Sequence, residues 1–342
     1  IFTISVHAYF GQRDLLNGMI GISIVEFLAQ NQFPENFERD FPSGVDVIGK
    51  SLLPNLYIFL AYLTNLSAQT LQYLFIGFEV IVMTIASIYL YLLLFKSVNK
   101  DEISLKYSLV WIVIINTLGS VSAVNLANFS STYFHGVFYG FGDAASLLAI
   151  AFFLQRRWAF LSLCLCIGFT IHPIKIIVTL SFLFGAFVID WRKSLSKMSI
   201  TWGIFCCLFI LAWGYFVLGF EQFGGSENVT IDKFAPYTRL FQVHWYPIDL
   251  GFFSPYSMWQ LSPFLGMVGM MFLSLAHINL PKDWSNRIIA GNIILGILTL
   301  FGIWVSYDLT SVALIKAHLI RASSLMTLLA PFFILLAIKA DL

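Results

Sequence analysis

Two apolar runs between residues 134 and 175 are bordered by histidines and charged side chains. His135 and His172 stand at the outer ends of these runs. Asp143 lies about two helical turns beyond His135, and Lys175 follows closely after His172. Ionisable groups within apolar segments are costly and usually face a cavity or a partner. We therefore predict that these four side chains line one substrate-binding pocket. Glu79, embedded in an earlier apolar run, could pair with an arginine or histidine.

Three basic side chains, Lys316, His318 and Arg321, precede the last apolar run. In a continuous helix Arg321 would lie about one turn beyond the other two, so that all three share a pocket. Arginine contacts phosphate through two parallel hydrogen bonds. We predict that this group binds the phosphate or pyrophosphate of a lipid carrier. Pairing of Arg321 with a loop carboxylate such as Asp308 is the alternative.

Carboxylates are concentrated in a mixed segment between residues 11 and 69. Glu35, Asp40 and Asp46 are the candidates for catalysis, since a carboxylate can act as a general base toward a hydroxyl nucleophile or ligate a divalent cation. Asp40 is preferred because Phe37 and Phe41 would hold it near the membrane interface. A solvated loop with local ion pairs is the alternative.

The segment 220–262 is rich in aromatic residues and proline and contains His244. Aromatic side chains are typical of the headgroup level of a membrane. Aromatic platforms interspersed with polar groups also suit a sugar ring, whose C–H faces stack on aromatic rings. Interfacial anchoring and sugar binding, with His244 as a contact, are both compatible with this segment.

The composition identifies a membrane protein. Apolar residues make up 59% of the chain and charged residues 11%, whereas a soluble domain carries about 25% charged residues. The net charge of +1 does not favour nucleic-acid binding, which requires a basic face. Nucleotide-binding loops of the GxxxxGK[ST] type and the HExxH zinc motif are missing from the sequence. We predict no resident metal site, although a divalent cation is compatible with the loop carboxylates.

Several apolar runs are near the length of about 20 residues that spans hydrocarbon. We predict an all-α bundle of about ten spans in a single domain over residues 1–342. Segments 15–29 and 51–66 are interpreted as interfacial helices, with a re-entrant or spanning role for the second as the alternative. The predicted spans are the outer end of a first helix in residues 1–10, then 71–95, 107–127, 134–154, 158–172, 174–189, 199–219, 263–278, 288–306 and 322–339.

Lysine and arginine residues are concentrated in alternate loops, which predicts the sidedness. Cytoplasmic loops carry an excess of these residues. The loops in question contain Lys96, Lys100 and Lys106, then Arg156 and Arg157, then Arg192, Lys193 and Lys197, then Lys282 and Arg287, then Lys339. Their alternation with the spans predicts one cytoplasmic side, so that the candidate functional residues above face the opposite side.

The layout resembles the GT-C superfamily of polytopic glycosyltransferases: a first span, a long outer loop with carboxylates and interfacial helices, then spans joined by short cytoplasmic loops. The segments similar to bacterial membrane proteins grouped near that superfamily are Phe37-Glu-Arg-Asp40, Phe134-His-Gly136, His172-Pro173 and Ile320-Arg-Ala322. The resemblance implies a sugar donor on a polyprenyl phosphate, a loop carboxylate as base and a basic group for the departing lipid phosphate. It implies membrane lipids as partners and a bacterial plasma membrane, with the active face toward the cell envelope.

Three other functions are compatible with the sequence. A transporter or lipid flippase would use the same intramembrane ionisable groups, although such proteins usually contain internal repeats. An envelope polysaccharide polymerase or ligase would also transfer sugars with outer-loop arginines and histidines. A non-catalytic membrane subunit is the third. The sequence does not identify a protein partner.

Overall fold

The computed structural model describes residues 52–98, 102–117, 126, 139–216, 231–241, 246, 261–308 and 312–338. The regular elements within these ranges are all helical, which confirms the predicted all-α class for this part of the chain. The helices are α1 (Leu52–Thr64), α2 (Ala68–Val98), α3 (Glu102–Thr117), α4 (Tyr139–Leu154), α5 (Trp158–Ile171), α6 (Pro173–Ile189), α7 (Trp191–Ser194), α8 (Lys197–Phe216), α9 (Ile231–Phe241), α10 (Leu261–His277), α11 (Lys282–Asp308), α12 (Val312–Ala317) and α13 (Ala322–Ile338).

Four of these helical segments are long and apolar enough to cross a membrane. They are α2, α8, α11 and the segment Leu319–Ile338, which contains α13. Their presence indicates an integral membrane protein. The apolar helices α1, α4, α5, α6 and α10 have 10–17 residues, and so does the apolar part of α3. The predicted number of about ten spans is therefore not confirmed.

The core of the bundle is a continuous apolar cluster to which most of the long helices contribute. Helix α6 packs along α11, α4 packs between α2 and α5, and α10 packs on α13. A smaller cluster joins α1 to the start of α2 through Tyr57 and Phe75, whose rings meet edge to face at 4.2 Å. The predicted interfacial segment 51–66 is thus helical in the structure and is held by an aromatic contact.

The two apolar runs of the sequence fold as α4 and α5, joined by a tight turn at Gln155-Arg156-Arg157. Helix α5 ends at Ile171 and α6 begins at Pro173. Proline is favoured in the first helical position because its ring presets the backbone angle and no N–H is needed there. His172 caps α6, since its Nδ1 accepts a hydrogen bond from the Lys175 backbone N–H at 3.4 Å.

Loops predicted to be cytoplasmic meet at one end of the bundle, here called the inner end and defined by Arg156, Asp190 and Arg287. Arg287 is 1% exposed and donates to Asp190 and to the Ser194 hydroxyl. Arg156 approaches the same carboxylate at 3.3 Å. Burial alone would raise the pKa of Asp190, but the Arg287 hydrogen bond and the surrounding positive charges hold that pKa below its ordinary value. The inner end is therefore fixed by one shared carboxylate.

Arg287 should contribute much more to stability than an exposed lysine of the same end. Arg287→Met leaves Asp190 without its buried partner, and removing one member of a buried pair costs about 3 kcal/mol. We expect the free energy of unfolding, measured by denaturant titration in detergent micelles, to fall by about this amount.

Lys193→Ala is the matched control, because its pair with Asp283 spans 3.2 Å between side chains that are 60% and 48% exposed. Such pairs are worth less than about 1 kcal/mol. Equal losses in the two variants would contradict the assignment of Arg287 as the anchor of the inner end.

Candidate functional site

The opposite end of the bundle, here called the outer end, contains a buried ion pair. Lys175 on α6 donates to Asp143 on α4 at 2.7 Å. The lysine side chain is 6% exposed and the carboxylate 22%. Burial makes an unpaired charge costly, so each group requires the other. Two residues predicted to share a pocket are therefore in direct contact.

His172 lies beside this ion pair. The side chain is buried, and its ring packs against Tyr139 with a centroid distance of 5.2 Å. Among the described residues, the cations Lys175 and Arg321 lie within electrostatic range of the imidazole. The predicted grouping of His172 with Asp143 and Lys175 is thus seen in the structure, with His172 also acting as a helix cap.

The first turn of α4 approaches its neighbours so closely that it contains glycines at two contact points. A Cβ on Gly142 would lie 3.2 Å from His172 Cβ and 3.3 Å from Lys175 Cγ. A Cβ on Gly140 would lie 2.6 Å from Glu79 Oε1. These small residues therefore leave room for the polar side chains of the outer end between the helices.

Glu79 on α2 is a further buried carboxylate of the outer end. It is 1% exposed and accepts a hydrogen bond from the Gly140 backbone N–H at 2.7 Å. The first N–H groups of a helix lack partners within the helix, and negative charge is favourable there. The sequence signal for Glu79 was a single carboxylate in an apolar run; its backbone partner could not be predicted without the fold.

Arg321 lies at the end of a short 3-10 turn, Leu319–Arg321, immediately before α13. Its Nε atom is buried and has no hydrogen-bond partner within the described ranges. Among the described residues Arg321 forms no ion pair, so the alternative pairing with Asp308 is not seen. Arg321 is half-buried and within electrostatic range of His172, and its guanidinium has N–H groups that can donate to an anion.

The expected continuous helix through Lys316, His318 and Arg321 is wrong. Helix α12 ends at Ala317, and His318 adopts a left-handed backbone conformation with φ 50°. This conformation is unfavourable for a residue with a Cβ and ends the helix. His318 is buried, and its carbonyl accepts the Arg321 N–H at 3.0 Å. Arg321 is therefore positioned by a sharp bend, and the side chain of Lys316 lies outside the described part.

Five predicted residues fall on segments that the structure does not describe: Glu35, Asp40, Asp46, His135 and His244. Their roles as base or substrate contacts stay predictions. In the aromatic segment, the described Tyr246 is buried, and its hydroxyl donates to the Ala235 carbonyl on α9 at 3.4 Å. The Arg239 guanidinium lies 5.6 Å from the ring centroids of both Tyr246 and Tyr307. These contacts attach α9 to the end of α11.

The outer-end cluster, defined here as Glu79, Asp143, His172, Lys175 and Arg321, combines two carboxylates with two cations and an imidazole. A group of three potential metal ligands is not found among the residues that the structure describes. Two buried hydroxyls lie one turn further along α4 and α6, where Thr179 Oγ1 donates to Ser146 Oγ at 2.7 Å. The chemistry available to this arrangement is anion binding by arginine and lysine and proton exchange at the carboxylates.

The fold and cluster define a helical integral membrane protein with charged side chains buried at both ends of its bundle. No family model matches the chain, and neither a curated protein nor a solved structure matches it.

The Asp143–Lys175 pair should show strong coupling. We expect Asp143→Ala and Lys175→Met each to lower the free energy of unfolding, because each leaves one charge without its partner. The double variant Asp143→Ala/Lys175→Met should lose less free energy of unfolding than the two single losses added together, by about 1–3 kcal/mol. Denaturant titration in micelles measures all four proteins. Additive losses would contradict a direct ion pair.

His318 should carry a measurable backbone strain. His318→Ala and His318→Gly both remove the imidazole, but only glycine adopts a positive φ without steric cost. We expect the glycine variant to be more stable than the alanine variant by about 1 kcal/mol. Thermal unfolding of the two variants side by side checks this, and equal melting temperatures would argue against the left-handed bend.

Proposed function

We propose that the protein is a membrane glycosyltransferase that takes a sugar from a polyprenyl-phosphate donor and transfers it to an acceptor hydroxyl on the non-cytoplasmic face. The observation that carries the proposal is Arg321. It is a half-buried arginine without an ion-pair partner among the described residues, and it lies within electrostatic range of His172. A phosphate on a lipid chain enters such a site from the membrane. The GT-C-like layout of the sequence supports glycosyl transfer as the reaction.

In the proposed reaction the acceptor oxygen attacks the anomeric carbon of the donor. A carboxylate of the first outer loop, Asp40 by preference over Glu35 and Asp46, takes the hydroxyl proton. The bond between the anomeric carbon and the phosphate oxygen breaks, and the lipid phosphate leaves with the bonding electrons. Negative charge then develops on that phosphate, which is where the guanidinium of Arg321 gives most stabilisation.

Lys175 and His172 have supporting roles in this proposal. Lys175 is already neutralised by Asp143 at 2.7 Å, so it contributes less free charge than Arg321. His172 lies within electrostatic range of both cations and is proposed to contact the phosphate or the acceptor. His135, His244, His318 and Lys316 are proposed to contact the donor or acceptor, and a divalent cation is not required.

Transport of a lipid or a solute is the second candidate function. The observation in its favour is the buried Asp143–Lys175 pair with Glu79 on a neighbouring helix. Ionisable groups at membrane depth frequently line ion and proton pathways. Uptake of substrate by proteoliposomes without sugar transfer would favour this candidate over the enzyme.

Arg321 should be essential for transfer. We expect Arg321→Ala to lower kcat/KM by about 100-fold or more, since it removes a charge that acts on the developing phosphate. Arg321→Lys keeps the charge but loses the planar donor pair, so its loss should be intermediate. Transfer from a radiolabelled polyprenyl-phosphate sugar in proteoliposomes measures both.

Arg192→Ala is the matched control for the loss of one arginine. Arg192 is exposed and rests over the Trp191 ring at 5.5 Å in α7, in the inner-end segment that also holds Asp190. We expect transfer by this variant to equal that of the parent. Full activity in Arg321→Ala would refute the phosphate site.

A further inference from the structure

We infer that Glu79 is a positioning residue, which holds the first turn of α4 and through it keeps Asp143 on Lys175. This inference deepens the proposed phosphate site and rests on it for its consequence in substrate binding. Glu79 itself contacts Gly140, and its action on the cluster passes through the backbone of α4.

The burial of Glu79 requires a strong compensating contact. The residue lies twelve positions into α2, a 31-residue helix long and apolar enough to span a membrane, and is 1% exposed. A carboxylate at this depth is costly unless hydrogen-bonded. The Gly140 N–H meets this need at 2.7 Å and places the carboxylate at the N-terminal end of α4.

The fit between Glu79 and α4 permits little displacement. The three atoms that a Cβ on Gly140 would meet first all belong to the Glu79 side chain, at 2.6, 2.8 and 2.9 Å. The carboxylate therefore occupies the space beside Gly140 on one face of the turn. Loss of the Glu79 side-chain oxygens, or a Cβ added at Gly140, therefore alters how α4 packs against α2.

The same turn contacts the cationic side of the cluster. Gly142 packs on His172 and on the aliphatic stem of Lys175. Asp143, the next residue, accepts the hydrogen bond from Lys175 at 2.7 Å. Gly140, Gly142 and Asp143 lie within one helical turn. If this turn moves relative to Glu79, Asp143 therefore moves relative to Lys175.

Glu79 also connects the cluster to the segment that follows the predicted catalytic loop. Tyr57 on α1 is buried and lies within electrostatic range of Glu79. Helix α1 follows residues 11–51, which carry the predicted base. Glu79 thus lies close to both α1 and the first turn of α4.

The test measures the ion pair directly and does not depend on sugar transfer. Lys175 is labelled with an amine-reactive reagent in detergent micelles and quantified by mass spectrometry. We expect labelling of Lys175 to be slow in the parent protein and about tenfold faster in Glu79→Ala, a change on the scale of one lost contact between neighbouring residues. Glu79→Gln keeps a carbonyl oxygen for the Gly140 N–H and should label like the parent.

Two further variants separate positioning from general destabilisation. In Gly140→Ala, Lys175 should be labelled as fast as in Glu79→Ala. In the double variant Glu79→Ala/Gly140→Ala, Lys175 should be labelled no faster than in either single variant, because the alanine Cβ at position 140 fits into the space that the carboxylate occupied. Ser87→Ala on the same helix removes a buried hydrogen bond with Asn116 at 2.9 Å. It should lower the melting temperature and leave Lys175 labelling unchanged.

Binding of polyprenyl monophosphate, with neutral polyprenol as reference, completes the test. Faster labelling together with about tenfold weaker phosphate binding in Glu79→Ala supports the inference. Unchanged labelling overturns it, and so does parent-like phosphate binding in a variant that labels faster. If labelling changes as expected but the parent protein does not distinguish the phosphate from polyprenol, the positioning role stands and the proposed function falls.

Discussion

The hydrogen-bonded contact between Lys175 and Asp143 joins α6 to α4 in a part of the bundle from which solvent is largely excluded. In that environment a single charge is far less stable than a pair, so the contact constrains both helices. The Gly142 packing and the His172 cap lie beside this contact, at the first turn of α4 and the start of α6. At the inner end Asp190 and Arg287 have the corresponding role.

Arg321 differs from these paired groups in its surroundings. Lys175 has Asp143, and Arg287 has Asp190, whereas Arg321 has no carboxylate among the residues that the structure describes. Burial of a cation costs free energy unless an opposite charge or hydrogen bonds compensate it. In the proposed function, the negative charge of a lipid phosphate compensates the guanidinium of Arg321.

Much of the helical architecture could be predicted from the sequence because apolar runs and breakers are local signals. The break at His172-Pro173 and the turn at Arg156-Arg157 are examples, since proline and paired charges end apolar helices at definite residues. The contact of Asp143 with Lys175 could be anticipated as a shared pocket for the same reason. The bend at His318 could not, because the sequence around it has a helical pattern and the left-handed conformation depends on packing against the rest of the bundle. The backbone partner of Glu79 is likewise a product of tertiary structure.

The length of α5 sets the depth of the outer-end cluster. Its 14 residues rise about 21 Å, whereas the hydrocarbon core of a bilayer is about 30 Å thick. If Arg156-Arg157 stays at the headgroup level of one leaflet, His172 ends up about 9 Å short of the opposite boundary. The bilayer must then thin locally or water must reach down to the histidine. In that arrangement a lipid headgroup beside His172 would lie deeper than those of the surrounding lipids.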